Sequence, residues 1–217
     1  MKLNLNISRM GFFGGSGINT NSKQYKAAMK MLGVAWSKSP PVNMNSWQMQ
    51  MTIKNYMNSF DEDGDYINPR TGIAGMLATG IPVEERHQII DISEDARQKM
   101  FDETKRHFLE ENGKMNGRTT RRSQVFQDYQ RSVPKQDRLK GTWTLSQYER
   151  QYRQALINAC KEADPSWDFG KPVSKSVLDK VTREQVDRSI VSDGVNLSLK
   201  ANTDTQRDYS HRLNFKA

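Results

Sequence analysis

TLSQYERQYRQALINACKEA, residues 144–163, is the stretch on which the fold turns. Leu145, Tyr148, Tyr152, Leu156 and Ala159 recur every three or four positions, which places them on one face of an α-helix. Thr144 and Gln147 have the spacing of a capping box, in which each side chain satisfies the other's backbone N–H, so the helix is expected to open at Thr144 and run through Ala163. An apolar stripe of this kind must be covered by other elements. The neighbouring segments offer more helices. Ser93 to Asn112 carries Ala96, Met100, Thr104 and Phe108 at four-residue spacing, with Phe101 and Leu109 beside them and Gly113 as a stop. Thr120 to Val133 places Val125, Phe126, Tyr129 and Val133 on one side before Pro134 ends it.

Further out the pattern weakens. A short helix is expected over Glu84 to Ile90, just after Pro82, and another over Lys23 to Leu32, with SKSPPVN at 37–43 as a break. Ser46 to Ser59 reads as a helix that turns Trp47, Met49, Met51, Ile53 and Met57 toward apolar partners. DPSWDFGKP at 164–172 is a turn-rich connector with Trp167 and Phe169 against the core, and a weaker helical region follows through Ile190. Val195, Leu197 and Leu199 alternate with polar residues as in a short edge strand, ahead of a polar tail. The fold class is mainly α: a compact helical body over 23–192, preceded by a glycine- and asparagine-rich arm over 1–22 and followed by the strand and tail over 193–217.

Composition limits what such a chain can do. Hydrophobic residues make up 35% of the 217, against roughly 45–50% in an average globular chain, so the core is thin. No apolar run approaches the roughly 20 residues that cross a bilayer, which excludes integral membrane association. Met1 to Met10 lacks the apolar stretch of a secretory signal peptide. Its opening, MKLNLNIS, resembles the asparagine-rich start of bacterial flagellins, which are exported without cleavage. The expected location is the cytoplasm, or outside the cell by such a route. Cys160, the lone cysteine, allows no intrachain disulfide and reads as a buried thiol.

FDEDGDYIN at 60–68 is the sharpest chemical motif. Asp61, Asp63 and Asp65 alternate around Gly64, and carboxylates this close repel one another unless a hard cation lies between them. The run resembles the start of an EF-hand calcium loop, whose first, third and fifth positions are the three aspartates and whose preceding aromatic residue is Phe60. The resemblance is incomplete: Tyr66 stands where the loop glycine belongs, and neither Thr71 nor Gly72 replaces the closing glutamate. It implies calcium held by Asp61, Asp63 and Asp65 with a backbone oxygen of Ile67, or of Tyr66 in a register one residue shorter, and with Glu84 or Glu85 as outside help. The alternative is a solvated turn.

Charge is uneven along the chain, whose net value is +8. Residues 118–153 hold nine bases and three acids, while 83–117 are net acidic. Arg121, Arg122, Arg131, Arg138, Arg150 and Arg153 alternate with Phe126, Tyr129, Trp143, Tyr148 and Tyr152, residue types that suit phosphates and unstacked bases. The competing reading makes the aromatics core residues and the arginines a hydrated face.

Enzymatic signatures are weak. Glu84 and His87 form one Glu-x-x-His pair without the second that a di-metal bundle needs. His107 and His211 read as surface residues, and GFFGGSG is neither a dinucleotide fingerprint nor a phosphate loop.

The glycine-rich start, the acidic DxDGD loop and the tryptophan-containing helical C-terminal half together resemble an uncharacterised bacterial protein family. That resemblance implies no activity and no site residue. The expected role is therefore non-catalytic: a structural, self-assembling or partner-binding protein, with calcium at the acidic loop and with Phe12, Phe13 and Ile18 of the arm docking on another copy or another protein. A nucleic-acid-binding module using the basic segment is the alternative, and an enzyme of unidentified class the second alternative.

Overall fold

The computed structural model describes residues 17–39 and 44–200. The chain divides between Thr79 and Gly80 into two compact units, so the helical stretch expected over 23–192 spans both. No helix lies between Met57 and Val83, where Pro69, Gly72, Gly75, Gly80 and Pro82 interrupt the chain. Helices dominate the described residues, accompanied by one two-stranded sheet. Phe12, Phe13 and the tail from 201 onward lie outside them.

The first unit is a helical hairpin with a loop behind it. Helix α1, Lys23–Lys38, is capped by the Ser22 hydroxyl and buries Ala28 and Leu32, one turn apart. It runs a turn and a half beyond the expected end at Leu32, because Gly33 alone does not break it, and stops at Ser39, which precedes Pro40. Helix α2, Ser46–Met57, opens on a capping box of Asn45 and Gln48. The Gln24 amide of α1 donates to the carbonyls of Met57 (3.0 Å) and Phe60 (2.8 Å), fixing the start of α1 against the end of α2. Of the α2 residues expected to face inward, Ile53 is buried and Met49 and Met57 are half-buried, whereas Trp47 and Met51 are exposed. At roughly 100° per residue Met51 lies on the opposite side of the helix from Ile53, so α1 cannot cover both.

In the second unit, α4 (Glu94–Glu110) and α6 (Arg138–Ala163) form the central pair. They run in the same direction: Arg97 meets the Tyr148 ring and Phe101 meets Tyr152 edge to face. Between them in sequence, α5 (Thr120–Ser132) returns antiparallel to α6, with Arg122 against Glu149 and Gln130 against Thr142. The buried set includes Ile92, Met100, Phe101, Tyr129, Leu145 and Tyr152 at one end, and Phe108, Leu156, Cys160, Trp167 and Leu178 at the other. The four-residue ladder of α4 is buried as its spacing predicts.

Helix α6 begins six residues before Thr144, after a 3₁₀ turn at Lys135–Asp137. Gly141 lets this extra stretch lie directly against the Tyr129 ring, so it packs instead of uncoiling. Thr144 and Gln147 are consequently interior helical residues and form no capping box. The Thr144 hydroxyl donates to the Lys140 carbonyl and accepts from the Ile90 amide, both at 3.0 Å. Gln147 is fully buried, and neither amide atom finds a hydrogen-bond partner among the described residues.

The remaining elements are short. Helix α3 spans Val83–Arg86, ending before the expected Ile90. Helices α7 (Lys175–Leu178) and α8 (Arg183–Ser189) follow the connector, α8 opening on a capping box of Thr182 and Gln185. The weak helical region gives way at its end to β1, Ile190–Ser192, which pairs antiparallel with β2, Leu197–Leu199. Asp193 closes the turn by accepting from the amides of Val195 and Asn196, so Val195, expected in the strand, belongs to the turn. Asp187 locks three helices together: it accepts from Tyr152 on α6 at 2.8 Å, pairs with Arg183 on α8 at 2.9 Å, and lies 3.3 Å from Arg97 on α4.

Candidate functional site

The acidic loop is wound about its own first residue. One oxygen of the Asp61 carboxylate accepts from the amides of Asp63 (3.1 Å) and Asp65 (2.9 Å), while the Asp61 backbone exchanges with Gly64 and Asp65. Gly64 takes a left-handed φ of 84°, and a Cβ there would stand 3.0 Å from the Lys23 carbonyl oxygen. The loop thus presses on the start of α1, where the Lys23 ammonium lies 3.5 Å from Asp63. Ile67 forms an isolated bridge with Ala74, and Phe60 bridges Tyr66 with their rings edge to face. Among the described residues no group of three or more His, Cys, Asp or Glu side chains is gathered as a metal would need.

The arginines of the basic segment differ in what they do. Arg121 and Arg150 are exposed. Arg122 makes a bidentate pair with Glu149, 2.6 Å at one oxygen, and lies over the Phe126 ring; that carboxylate holds its guanidinium firmly charged. Arg131 pairs with Asp128 at 3.5 Å, and Arg153 donates to the Gly113 carbonyl and covers Phe169. Of the aromatics, Tyr129 and Tyr152 are buried. Trp167 is buried as expected, but Phe169 is 46% exposed. Ile18, the described member of the arm's apolar trio, is half-buried ahead of α1.

His107 corrects its expected surface placement: it is buried in α4, and neither ring nitrogen has a hydrogen-bond partner among the described residues. Cys160 is buried as expected, and burial pushes its thiol up, away from the reactive thiolate.

Sequence reasoning did not assemble the cleft of about 320 Å³ in the second unit. Arg86 and His87 enter it from the end of α3, Arg122 and Phe126 from one turn of α5, and Leu139, Thr142, Trp143 and Ser146 from one face of α6. His87 lies flat on Trp143, with ring centroids 3.7 Å apart and planes within 3°. The Trp143 indole N–H donates to the Val195 carbonyl at 2.7 Å, which fixes the platform. Arg86 Nη1 lies 3.3 Å from His87 Nε2. For that contact to be a hydrogen bond Nε2 must accept, which puts the imidazole proton on Nδ1. Arg86 forms no ion pair among the described residues, and its Nε is buried without a partner. Two cations therefore face one cleft with one neutralising carboxylate, Glu149.

Three elements spread between Arg86 and Ser146 build this cleft, so no contiguous motif announces it. The legible signals are the Arg122–Phe126 pair one helical turn apart and the Leu139, Trp143, Ser146 face of α6.

Among the described residues, no helix is long and apolar enough to cross a membrane. No curated protein and no solved structure matches the chain. A sequence model of the protein family described as "Domain of unknown function (DUF3879)" matches residues 18–206, which include both the acidic loop and the cleft, and the chain belongs to that family.

Proposed function

We propose that this protein is a non-catalytic assembly or partner-binding protein that docks through the apolar surface of its first unit. The observation that carries this reading is Trp47, which is 67% exposed on α2, with Met51 one turn later on the same side. Val34, near the end of α1, and Met44, just before α2, are exposed as well, at the end of the hairpin where α1 finishes and α2 begins. Scattered apolar residues are ordinary on a protein surface, but a large indole grouped with methionines is the composition of a contact surface. Methionine adapts its shape to a partner, and tryptophan supplies large area at small entropic loss.

Self-association is the form of this reading that can be tested without a known partner. Sedimentation velocity of the full chain over a range of concentrations should show association, and Trp47→Ser with Met51→Ser should shift it toward monomer. A wild-type chain that stays monomeric throughout, with the double variant indistinguishable from it, would overturn the self-assembling form. Calcium at Asp61, Asp63 and Asp65 remains the conditional part of the reading, supported by the tight winding of the loop and opposed by the Lys23 ammonium beside Asp63.

The nucleic-acid alternative rests on exposed Arg121 and Arg150. Salt separates it from apolar docking: phosphate binding weakens steeply as salt rises, whereas apolar association persists.

A further inference from the structure

We propose that the cleft between α3, α5 and α6 binds a small organic oxyanion, with its carboxylate or phosphate facing Arg86 and its apolar body against Phe126, Leu139 and Trp143. This assignment is independent of the docking surface in the first unit.

The charge distribution is the first argument. Arg122 is neutralised by Glu149 and held in place by the Phe126 face, so it serves as a fixed wall. Arg86 is different. It has no carboxylate partner among the described residues, one nitrogen of its guanidinium is sealed from solvent without an acceptor, and another rests against His87. A guanidinium that is partly desolvated and unpaired is unfavourable until an anion reaches it, and its planar fork matches carboxylate and phosphate oxygens. Low-dielectric walls around one uncompensated positive charge focus its field into the cleft.

Shape is the second argument. The cleft lies at the small end of ligand-sized pockets, and Phe126, Leu139 and Trp143 give it an apolar wall beside its charged and polar groups. Its rings are already in place: Trp143 is tied to Val195, and His87 stacks on it. A site with its aromatic wall fixed in advance loses little entropy on binding. Thr142 and Ser146 have hydroxyls occupied inside the fold, Thr142 accepting from Gln130 and Ser146 donating to the Trp143 carbonyl. They line the cleft without competing for Arg86.

Isothermal titration of the full chain with phenyl phosphate, benzoate, inorganic phosphate and benzyl alcohol tests the proposal. Phenyl phosphate or benzoate should bind, and the tighter of the two identifies the head group. Arg86→Gln should weaken that binding by about tenfold or more, the usual size of a lost charged hydrogen bond. Benzyl alcohol, lacking the charge, should bind at least about tenfold more weakly than the better anion. Failure of both organic anions to bind would overturn the proposal. So would equal affinity for benzyl alcohol, equal affinity for inorganic phosphate, or unchanged affinity in Arg86→Gln. Circular dichroism of each variant checks that the helices persist. Where Arg86→Gln does not fold, Arg86→Lys decides: it keeps the charge without the fork, so binding should weaken, and unchanged affinity would count against the assignment.

Discussion

Gly141 lies inside α6, where alanine ordinarily stabilises a helix by about 1 kcal/mol relative to glycine. Here the sign should reverse. A Cβ at Gly141 would stand 1.8 Å from the Tyr129 phenolic oxygen and 2.6 Å from the ring carbon that carries it, whereas unstrained carbon contacts lie at about 3.5–4.0 Å. The ring would have to retreat by roughly 1.5 Å. It is 4% exposed and packed in the same cluster as Met100, Leu145 and Tyr152, so it has nowhere to go without displacing them. Overpacking a core costs about 1–3 kcal/mol, and so deep an overlap belongs at the upper end. Less the helix gain, Gly141→Ala should destabilise the second unit by about 2 kcal/mol, lowering its melting temperature by roughly 4–8 °C. Thermal unfolding followed by circular dichroism measures this. Tyr129→Phe in the Gly141→Ala background removes the nearest atom but leaves the ring carbon, so it should recover part of the loss. A Gly141→Ala protein that melts at or above the wild-type temperature would refute the account of why α6 extends past Thr144.

Gly33 makes the opposite case: exposed in the middle of α1, with no atom of the described residues within 4 Å of where a Cβ would stand, it should gain about 0.5–1 kcal/mol on substitution by alanine, and a lower melting temperature would show that the helix is not continuous there. Asp187→Asn leaves Arg97 and Arg183 facing a neutral partner, and denaturant titration should show a loss of about 2–4 kcal/mol; less than about 0.5 kcal/mol would mean that the cluster is not a lock. Calcium, if it binds the acidic loop, adds about 2.7 kcal/mol at 100 times its dissociation constant. Melting temperature should then rise with calcium in wild type and not in Asp63→Ala, while identical wild-type curves in calcium and in chelator would leave the loop a solvated turn. Burial first, then Asp137 and Asp91, pushes the Tyr129 phenol up to about 12, and burial with Asp187 raises Tyr152 as well. Because these folded values exceed the unfolded value near 10, their stabilisation is full below about pH 10 and disappears as pH climbs through the folded values. Melting temperature measured from pH 8 to 12 should fall across that upper window, and a flat profile would contradict it.

Where a helical face is covered along its whole length, periodicity is sufficient to read the fold. The α4 ladder of Ala96, Met100, Thr104 and Phe108 is buried throughout because α4 is covered along that face by α6 and α5. The α2 pattern misled because methionine is apolar enough to count toward a stripe and flexible enough to sit at a surface. Five candidate inward residues on a twelve-residue helix exceed what a single partner helix can cover, and Ile53, the β-branched one, took the buried position. The start of α6 was misread for a different reason. Thr144 and Gln147 have capping spacing, but capping competes with continuation, and continuation won where Gly141 allowed close contact with Tyr129. Strand β1 follows α8 without a loop, which leaves no turn signal between helix and strand, so the short β-hairpin was visible from its second strand alone.

The candidate sites divide along the same line. A motif contained in one loop, such as the three aspartates around Gly64, is visible as a string of letters, yet its letters cannot say whether Asp61 faces a cation or caps its own backbone; the folded loop has it accepting from two amides. The cleft shows the converse. Arg86 ends a four-residue helix and His87 follows it, Arg122 is one of nine bases in its segment, and Trp143 reads as a core aromatic. None is distinctive alone. What makes them a site is the balance among them: Glu149 spends its charge on Arg122, Val195 fixes Trp143, and Arg86 is left with a charge that the described fold does not answer. That residue is a property of the whole arrangement. For a chain whose exposed tryptophan and whose open cleft lie in different units, binding at the two is separable by mutation: Trp47→Ser should leave the anion affinity of the cleft unchanged, and Arg86→Gln should leave sedimentation unchanged.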